Sequence, residues 1–221
     1  MLAALPAWIL CVCVHEFSHA LVAYFGGDRS VREKGYLTLD PTRFIDPVFS
    51  LLIPAVVLMM GGLPLPGGAV QIDQSRLRSE KWMRYVYIAG PASNFLLFLL
   101  FALPLHPRLG LVDASAQPQP TWVYFCGAMA VLNFIATLFN LIPIPPLDGY
   151  GIIEHRFSYE TRLKMRQNTM LLFGGLFMLF WMVPEVWIPF WIMIDHVSDV
   201  LGLPLGLMTE GFYYILFNEI P

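Results

Sequence analysis

Long runs of apolar side chains dominate the chain, and polar positions gather between the runs instead of alternating along amphipathic faces. The first run, Leu2 to Phe25, exceeds the roughly 20 residues a helix needs to cross a hydrocarbon core. Tyr85 to Leu105 and Trp122 to Ile142 predict two more spans. A fourth, 169–194, runs from Thr169 to Val183 and continues brokenly past Pro184 and Glu185 to Ile194. The tail 201–217 is apolar but carries Pro204, Gly206, Glu210 and Gly211, and reads as an interfacial or extra helix. Val48 to Leu63 is short, split by Pro54 and closed by Gly61 and Gly62, which marks a re-entrant segment or a short span. Gly35 to Leu39 and Pro66 to Ile72 have strand character and are bounded by Gly, Pro or Asp, predicting a small membrane-associated β-hairpin or sheet. The expected fold is therefore an all-α polytopic membrane protein, one domain over 1–221, with about four to six transmembrane helices.

Composition agrees with a bilayer as solvent. Hydrophobic residues make up 57% of the chain and the mean hydropathy is +0.63, above the roughly 45–50% apolar content of soluble domains. A net charge of -3 argues against nucleic acid as a partner. Cys11, Cys13 and Cys126 all lie in apolar stretches, and Cys11 and Cys13 point to nearly opposite sides of a helix, so no disulfide framework is expected. The first apolar run lacks a basic leader and carries His15, Glu16 and His19, so it reads as a retained helix and not a removable signal.

Basic residues supply an orientation, because Lys and Arg concentrate in cytoplasmic loops. Arg29, Arg32, Lys34 and Arg43 precede the 48–63 segment; Arg76, Arg78, Lys81 and Arg84 follow it; Arg156, Arg162, Lys164 and Arg166 follow the span ending at Ile142. If the segment dips in and returns, these twelve of the 13 Lys and Arg share one side, with Arg108 alone opposite. That arrangement places the N-terminus outside, with the first helix descending to the cytoplasm.

His15-Glu16-Phe17-Ser18-His19 is an H-E-x-x-H motif. On a helix, histidines at i and i+4 stack on one face about 6 Å apart and reach one tetrahedral zinc, and the adjacent Glu16 can take a proton from a water there. In a soluble helix a chance match competes with this reading. In a membrane, an ionisable side chain costs roughly 2.5–3.5 kcal/mol on insertion scales, and three within five residues point to chemistry. A catalytic zinc normally has a third protein ligand. His106, His155, His196 and the carboxylates outside the first helix are candidates, most of them in polar loops. Asp148 differs, because it closes Asn140-Leu-Ile-Pro143-Ile-Pro145-Pro146-Leu-Asp148-Gly149, where three prolines prevent regular helix at the end of a span.

Together, HEFSH and N-L-I-P-I-P-P-L-D-G resemble the site-2 protease family of intramembrane metalloproteases, and Ala89-Gly90-Pro91-Ala92-Ser93-Asn94 resembles its G-P-x-x-N signature. The resemblance implies one zinc per chain held by His15, His19 and Asp148, with Glu16 as general base. It also implies that Asn140 and Asn94 position substrate or stabilise the reacting carbonyl, although an interhelical hydrogen bond explains Asn94 equally well. The Pro66 to Ile72 stretch resembles the hairpin thought to receive substrate in this family. Better-known members carry a PDZ or nucleotide-sensing domain that is not seen here, and 48–63 is additional to their minimal core.

The expected activity is zinc-dependent hydrolysis of peptide bonds in or near transmembrane segments of membrane proteins. The expected location is the lipid bilayer of a prokaryotic cell, with the site reached through a polar cavity open to the cytoplasm. Two other readings compete. A non-proteolytic zinc-binding sensor or chaperone would have no need of Glu16 beside the metal, and a transporter would need further polar residues along a path through several helices.

Overall fold

The computed structural model describes residues 4–44, 70–113 and 116–217. The predicted re-entrant segment, Val48 to Leu63, lies outside them. Three helices are long and apolar enough to cross a membrane: α1 (Ala4–Gly26), α3 (Glu80–Ala102, extended by a 3₁₀ turn to Leu105) and α4 (Thr121–Asn140). A four-residue helix, α2 (Ser30–Glu33), follows α1. Beyond α4 come α5 (Asp148–Ile153), α6 (Tyr159–Gln167), α7 (Thr169–Met182), α8 (Ile188–Leu201) and α9 (Leu205–Phe217).

The broken fourth span takes the form of α7 and a segment from Pro184 to Leu201, bent by 100°. Pro184 forces the break, since it has no N–H for a continuing helix. Among the described residues, three helices are thus long and apolar enough to span, or four if the bent pair counts as one.

α1, α3 and α4 pack on one another around Phe98, Phe134, Met129 and Val131, all nearly inaccessible. The 13-residue α9 is too short to cross at about 1.5 Å per residue, and lies against α4 as an additional helix of the bundle. Two glycines make that approach possible. A Cβ on Gly127 would lie 2.9 Å from the Leu207 carbonyl, and one on Gly211 would lie 3.0 Å from Tyr124 Cα. Small residues at such crossings let helix backbones meet closely.

The expected β-hairpin is not supported: no strand occurs among the described residues, which include Gly35 to Leu39 and Val70 to Ile72. The physical reason lies in where the backbone groups find partners. Tyr36 N–H donates to the Val31 carbonyl at the end of α2, Lys34 Nζ donates to the Gln71 carbonyl at 2.8 Å, and Asp73 N–H donates to Asp28 Oδ2 at 2.8 Å. Side chains therefore take the positions that a neighbouring strand would fill. The apolar, β-branched pattern of Val70 and Ile72 serves packing against Ala20, Ala23, Val31 and Val86 instead.

Candidate metal centre

One stripe of α1 is buried, comprising Ala4, Trp8, Cys11, His15, His19, Ala23 and Gly26. These positions recur every three or four residues and so share one helix face. The H-E-x-x-H histidines are thereby pointed at the bundle and away from lipid. α3 supplies the facing surface at Gly90, where a Cβ would lie 2.5 Å from His15 Cε1 and closer still to His19 Nε2. Glycine is required at this approach. Thr137 on α4 donates to the Asn133 carbonyl at 2.8 Å and to the Pro91 carbonyl at 3.4 Å, fastening α4 beside the α3 proline.

After α4, residues 141–147 turn back without regular helix. Leu147 anchors this loop in an apolar cluster with Leu176 and Phe180 of α7. A Cβ on Gly149 would collide with the Leu141 backbone, so the loop closes directly over α5. Its first residue, Asp148, is thereby delivered to the histidines. His15 Nε2 lies 3.2 Å from Asp148 Oδ2, His19 Nε2 lies 3.4 Å from the same oxygen, and the two Nε2 atoms are 3.0 Å apart.

Asp148 Oδ2 is buried without a hydrogen-bond partner, which a carboxylate oxygen tolerates only with a cation or proton between it and its neighbours. The other ring nitrogens explain which one. His19 Nδ1–H donates to the Val86 carbonyl at 2.7 Å, and His15 Nδ1 pairs with the Asn94 amide at 3.1 Å. The Val86 carbonyl holds the His19 proton on Nδ1, so His19 Nε2 presents a lone pair to the carboxylate; Asn94 meets His15 Nδ1 through its Nδ2, and turning that amide to offer Oδ1 would hold the His15 proton on Nδ1 in the same way. Three lone-pair donors aimed at one another call for a cation. Donors around a tetrahedral zinc, at bonds of roughly 2.0–2.1 Å, are about 3.3 Å apart, and the three distances here are of that size.

Glu16 is 6% exposed and lines the same cavity, of about 570 Å³, as His15, His19, Asn140 and Asp148. Of the predicted residues, the structure brings His15, His19 and Asp148 to one point. Glu16 and Asn140 are on the cavity wall, and Asn94 is behind His15 as an interhelical hydrogen bond. His106, His155 and His196 join no such cluster among the described residues.

Three contributors were not anticipated individually. Gly90 was visible within the G-P-x-x-N motif, but its close approach to the histidines was not. The Val86 carbonyl leaves no sequence signal, since every residue offers one. The ion pair of Arg166 with buried Glu154, at 2.9 Å on the cavity lining, joins residues whose spacing marks nothing locally.

A buried pair of histidines and a carboxylate, with a glutamate beside the first histidine, on a helix of spanning length, defines the class as metallopeptidases. Residues 105–182 match the family model described as Peptidase family M50. "Putative zinc metalloprotease Rip2" of Mycobacterium tuberculosis H37Rv is 33% identical over 98% of this chain and 80% of its own length. The protein of the same name in Mycolicibacterium smegmatis is 37% identical over 72% of this chain, and the match spans only 58% of that relative. YwhC of Bacillus subtilis, also named for zinc metalloprotease character, is 36% identical over 72% of this chain and 71% of its own. The chain belongs to peptidase family M50, the site-2 proteases. No solved structure matches it.

Proposed function

We propose that this chain is a zinc-dependent intramembrane endopeptidase that cleaves peptide bonds in or near transmembrane segments of membrane proteins. The observation that carries the reading is the convergence of His15 Nε2, His19 Nε2 and Asp148 Oδ2 at 3.0–3.4 Å on the cavity that Glu16 lines. His15, His19 and Asp148 would hold the metal, and zinc, when bound, supplies Lewis acidity toward a peptide carbonyl and a nearby water. Glu16 accepts a proton from the attacking water and returns it to the leaving amine. Asn94 and the Val86 carbonyl keep the imidazoles in the tautomer and orientation that ligation needs. Asn140, on the cavity wall, would hydrogen-bond substrate.

The membrane setting rests on the three apolar helices. Arg78 N–H donates to the Gly26 carbonyl, so the basic group 76–84 sits at the same end of the bundle as the group 29–43. That supports a cytoplasmic opening under the positive-inside rule. Glu16→Gln tests the proposal: the variant should keep one zinc per chain and lose cleavage of a reconstituted transmembrane substrate. Undiminished cleavage would refute it.

A further inference from the structure

Asp148 opens α5, and a second carboxylate, Glu154, stands just past the far end of the same short helix. At a helical rise of 1.5 Å per residue the two are about 9 Å apart along the chain. A Cβ on Gly151 would collide with the Tyr87 ring, so α3 and α5 meet closely between them. Glu154 Oε2 accepts from Arg166 Nη2–H at 2.9 Å, a bond that comes from the last turn of α6. Asp148, Glu154 and Arg166 all line the cavity of the metal centre, and the wall continues past Arg166 with Thr169 and Phe173 of α7.

The pair is unequal. The Glu154 side chain is 11% exposed and that of Arg166 is 56% exposed, so the carboxylate is sunk behind the guanidinium and the charge offered outward is positive. The N–H groups of a guanidinium form a planar fork that matches a carboxylate, and among the described residues this one donates to Glu154 alone. No other Lys or Arg of the described residues lines the cavity; Arg156, Arg162 and Lys164, near it in sequence, do not. The remaining charged side chains on the wall, imidazoles aside, are the carboxylates Glu16, Asp148 and Glu154. An acidic side chain on a peptide lying in the cavity therefore has one favourable place. From the metal ligand Asp148 that place is about 9 Å away, which an extended peptide covers in about three residues at roughly 3.3 Å each. We infer that Arg166 is a specificity-determining residue, which selects peptides carrying Asp or Glu about three residues from the scissile bond, on the flank directed toward α6. The inference deepens the proteolytic reading and rests on it. An ion pair that only fastened α6 to α5 would give no dependence on the charge of the peptide.

The test uses the full chain in lipid nanodiscs and fluorescent peptides, each containing one Leu- and Ala-rich transmembrane segment with a central Gly-Pro break. A single Glu is moved residue by residue away from the break on either side, and every peptide has a twin with Gln at the same place. Binding is measured by anisotropy in the Glu16→Gln background, where cleavage is removed, and corrected for partition into empty nanodiscs. On one flank, about three residues from the break, the Glu peptide should bind about fivefold more tightly than its Gln twin, a modest ratio because the guanidinium is half exposed. Adding Arg166→Gln should bring that ratio to about one with zinc content unchanged, and Arg166→Lys, which keeps the charge but not the fork, should retain part of it. In the chain with Glu16 intact, the Glu peptide should be cleaved with the lower KM of the two while kcat differs less. Equal affinity for the Glu and Gln twins at every position in the parent overturns the proposal without any variant having to fold, and so does a preference that persists in Arg166→Gln. Cleavage that survives in Glu16→Gln would strike the proteolytic reading, whereas equal affinities with cleavage abolished strike this inference alone.

Discussion

Gly90→Ala adds a single methyl group to α3 at its closest approach to the metal cluster. The new carbon would lie 2.5 Å from His15 Cε1 and nearer to His19 Nε2, whereas carbon atoms in contact prefer roughly 3.5–4.0 Å. A displacement of about 1 Å is therefore demanded of the rings or of α3. Both imidazoles are tethered on their far side, His19 to the Val86 carbonyl and His15 to Asn94. Both tethers lie on α3 itself, so moving the helix away pulls on the bonds that orient the ligands. Overpacking of this kind costs about 1–3 kcal/mol, which corresponds to roughly 5- to 150-fold in a binding constant. The purified variant should compete correspondingly less well for zinc against a chromophoric chelator, and metal analysis should find it partly empty after dialysis. Gly174→Ala is the control, because nothing lies within 4 Å of a Cβ there; it should leave zinc affinity unchanged. A Gly90→Ala variant that binds zinc as tightly as the parent would refute the assignment of Gly90 as the clearance for the two ligands.

Asn94→Ala removes the partner of His15 Nδ1 and should lower zinc affinity about 10- to 100-fold; the same chelator titration checks it, and Asn94→Asp should lose less because a carboxylate also accepts from Nδ1–H. Arg166→Ala strips the partner from Glu154, whose side chain is 11% exposed; since Arg166 is 56% exposed, the loss should be about 1–2 kcal/mol, read as a melting temperature lower by about 3–6 °C. Asp73 is held below the usual carboxylate range, chiefly by the hydrogen bond from the Ser75 side chain. Its folded pKa lies below the unfolded one, so its contribution to the 70–78 loop is present above the unfolded value and lost as pH falls through the folded value. Protection of the Ser75 and Arg76 amides, taken relative to their intrinsic exchange rates at each pH, should therefore fall under acid, and Asp73→Asn should reduce that pH dependence.

Much of the bundle was legible because membrane spans are written in composition: α1, α3 and α4 each fall within a few residues of an uninterrupted apolar run. The bend between α7 and α8 was announced by Pro184. The metal cluster was legible in part, since His15 and His19 sit four apart on one face, and three prolines set Asp148 apart from other carboxylates. What could not be read is long-range. The alternation of Val70 and Ile72 is shared by strands and by extended stretches that lie on a helix, and only the positions of Lys34 and Asp28 decide between them. Asp28 carries no local signal of its burial, because one of its partners lies 45 residues away. Gly127 and Gly211 likewise gave no warning that α9 would lie along α4; each glycine has meaning only opposite the other helix.

The same long-range partners explain how such a polar group of side chains persists in an apolar bundle. On an isolated α1, each of His15, Glu16 and His19 would cost roughly 2.5–3.5 kcal/mol at the bilayer centre. α3 offsets this for the histidines with one amide and one carbonyl, and the 141–147 loop adds Asp148. Each of these groups is costly alone and satisfied only when α1, α3 and the loop after α4 are together. The polar site therefore depends on correct assembly of the three spans and favours it, because any register of α1 that turns His15 and His19 toward lipid forfeits every one of these bonds.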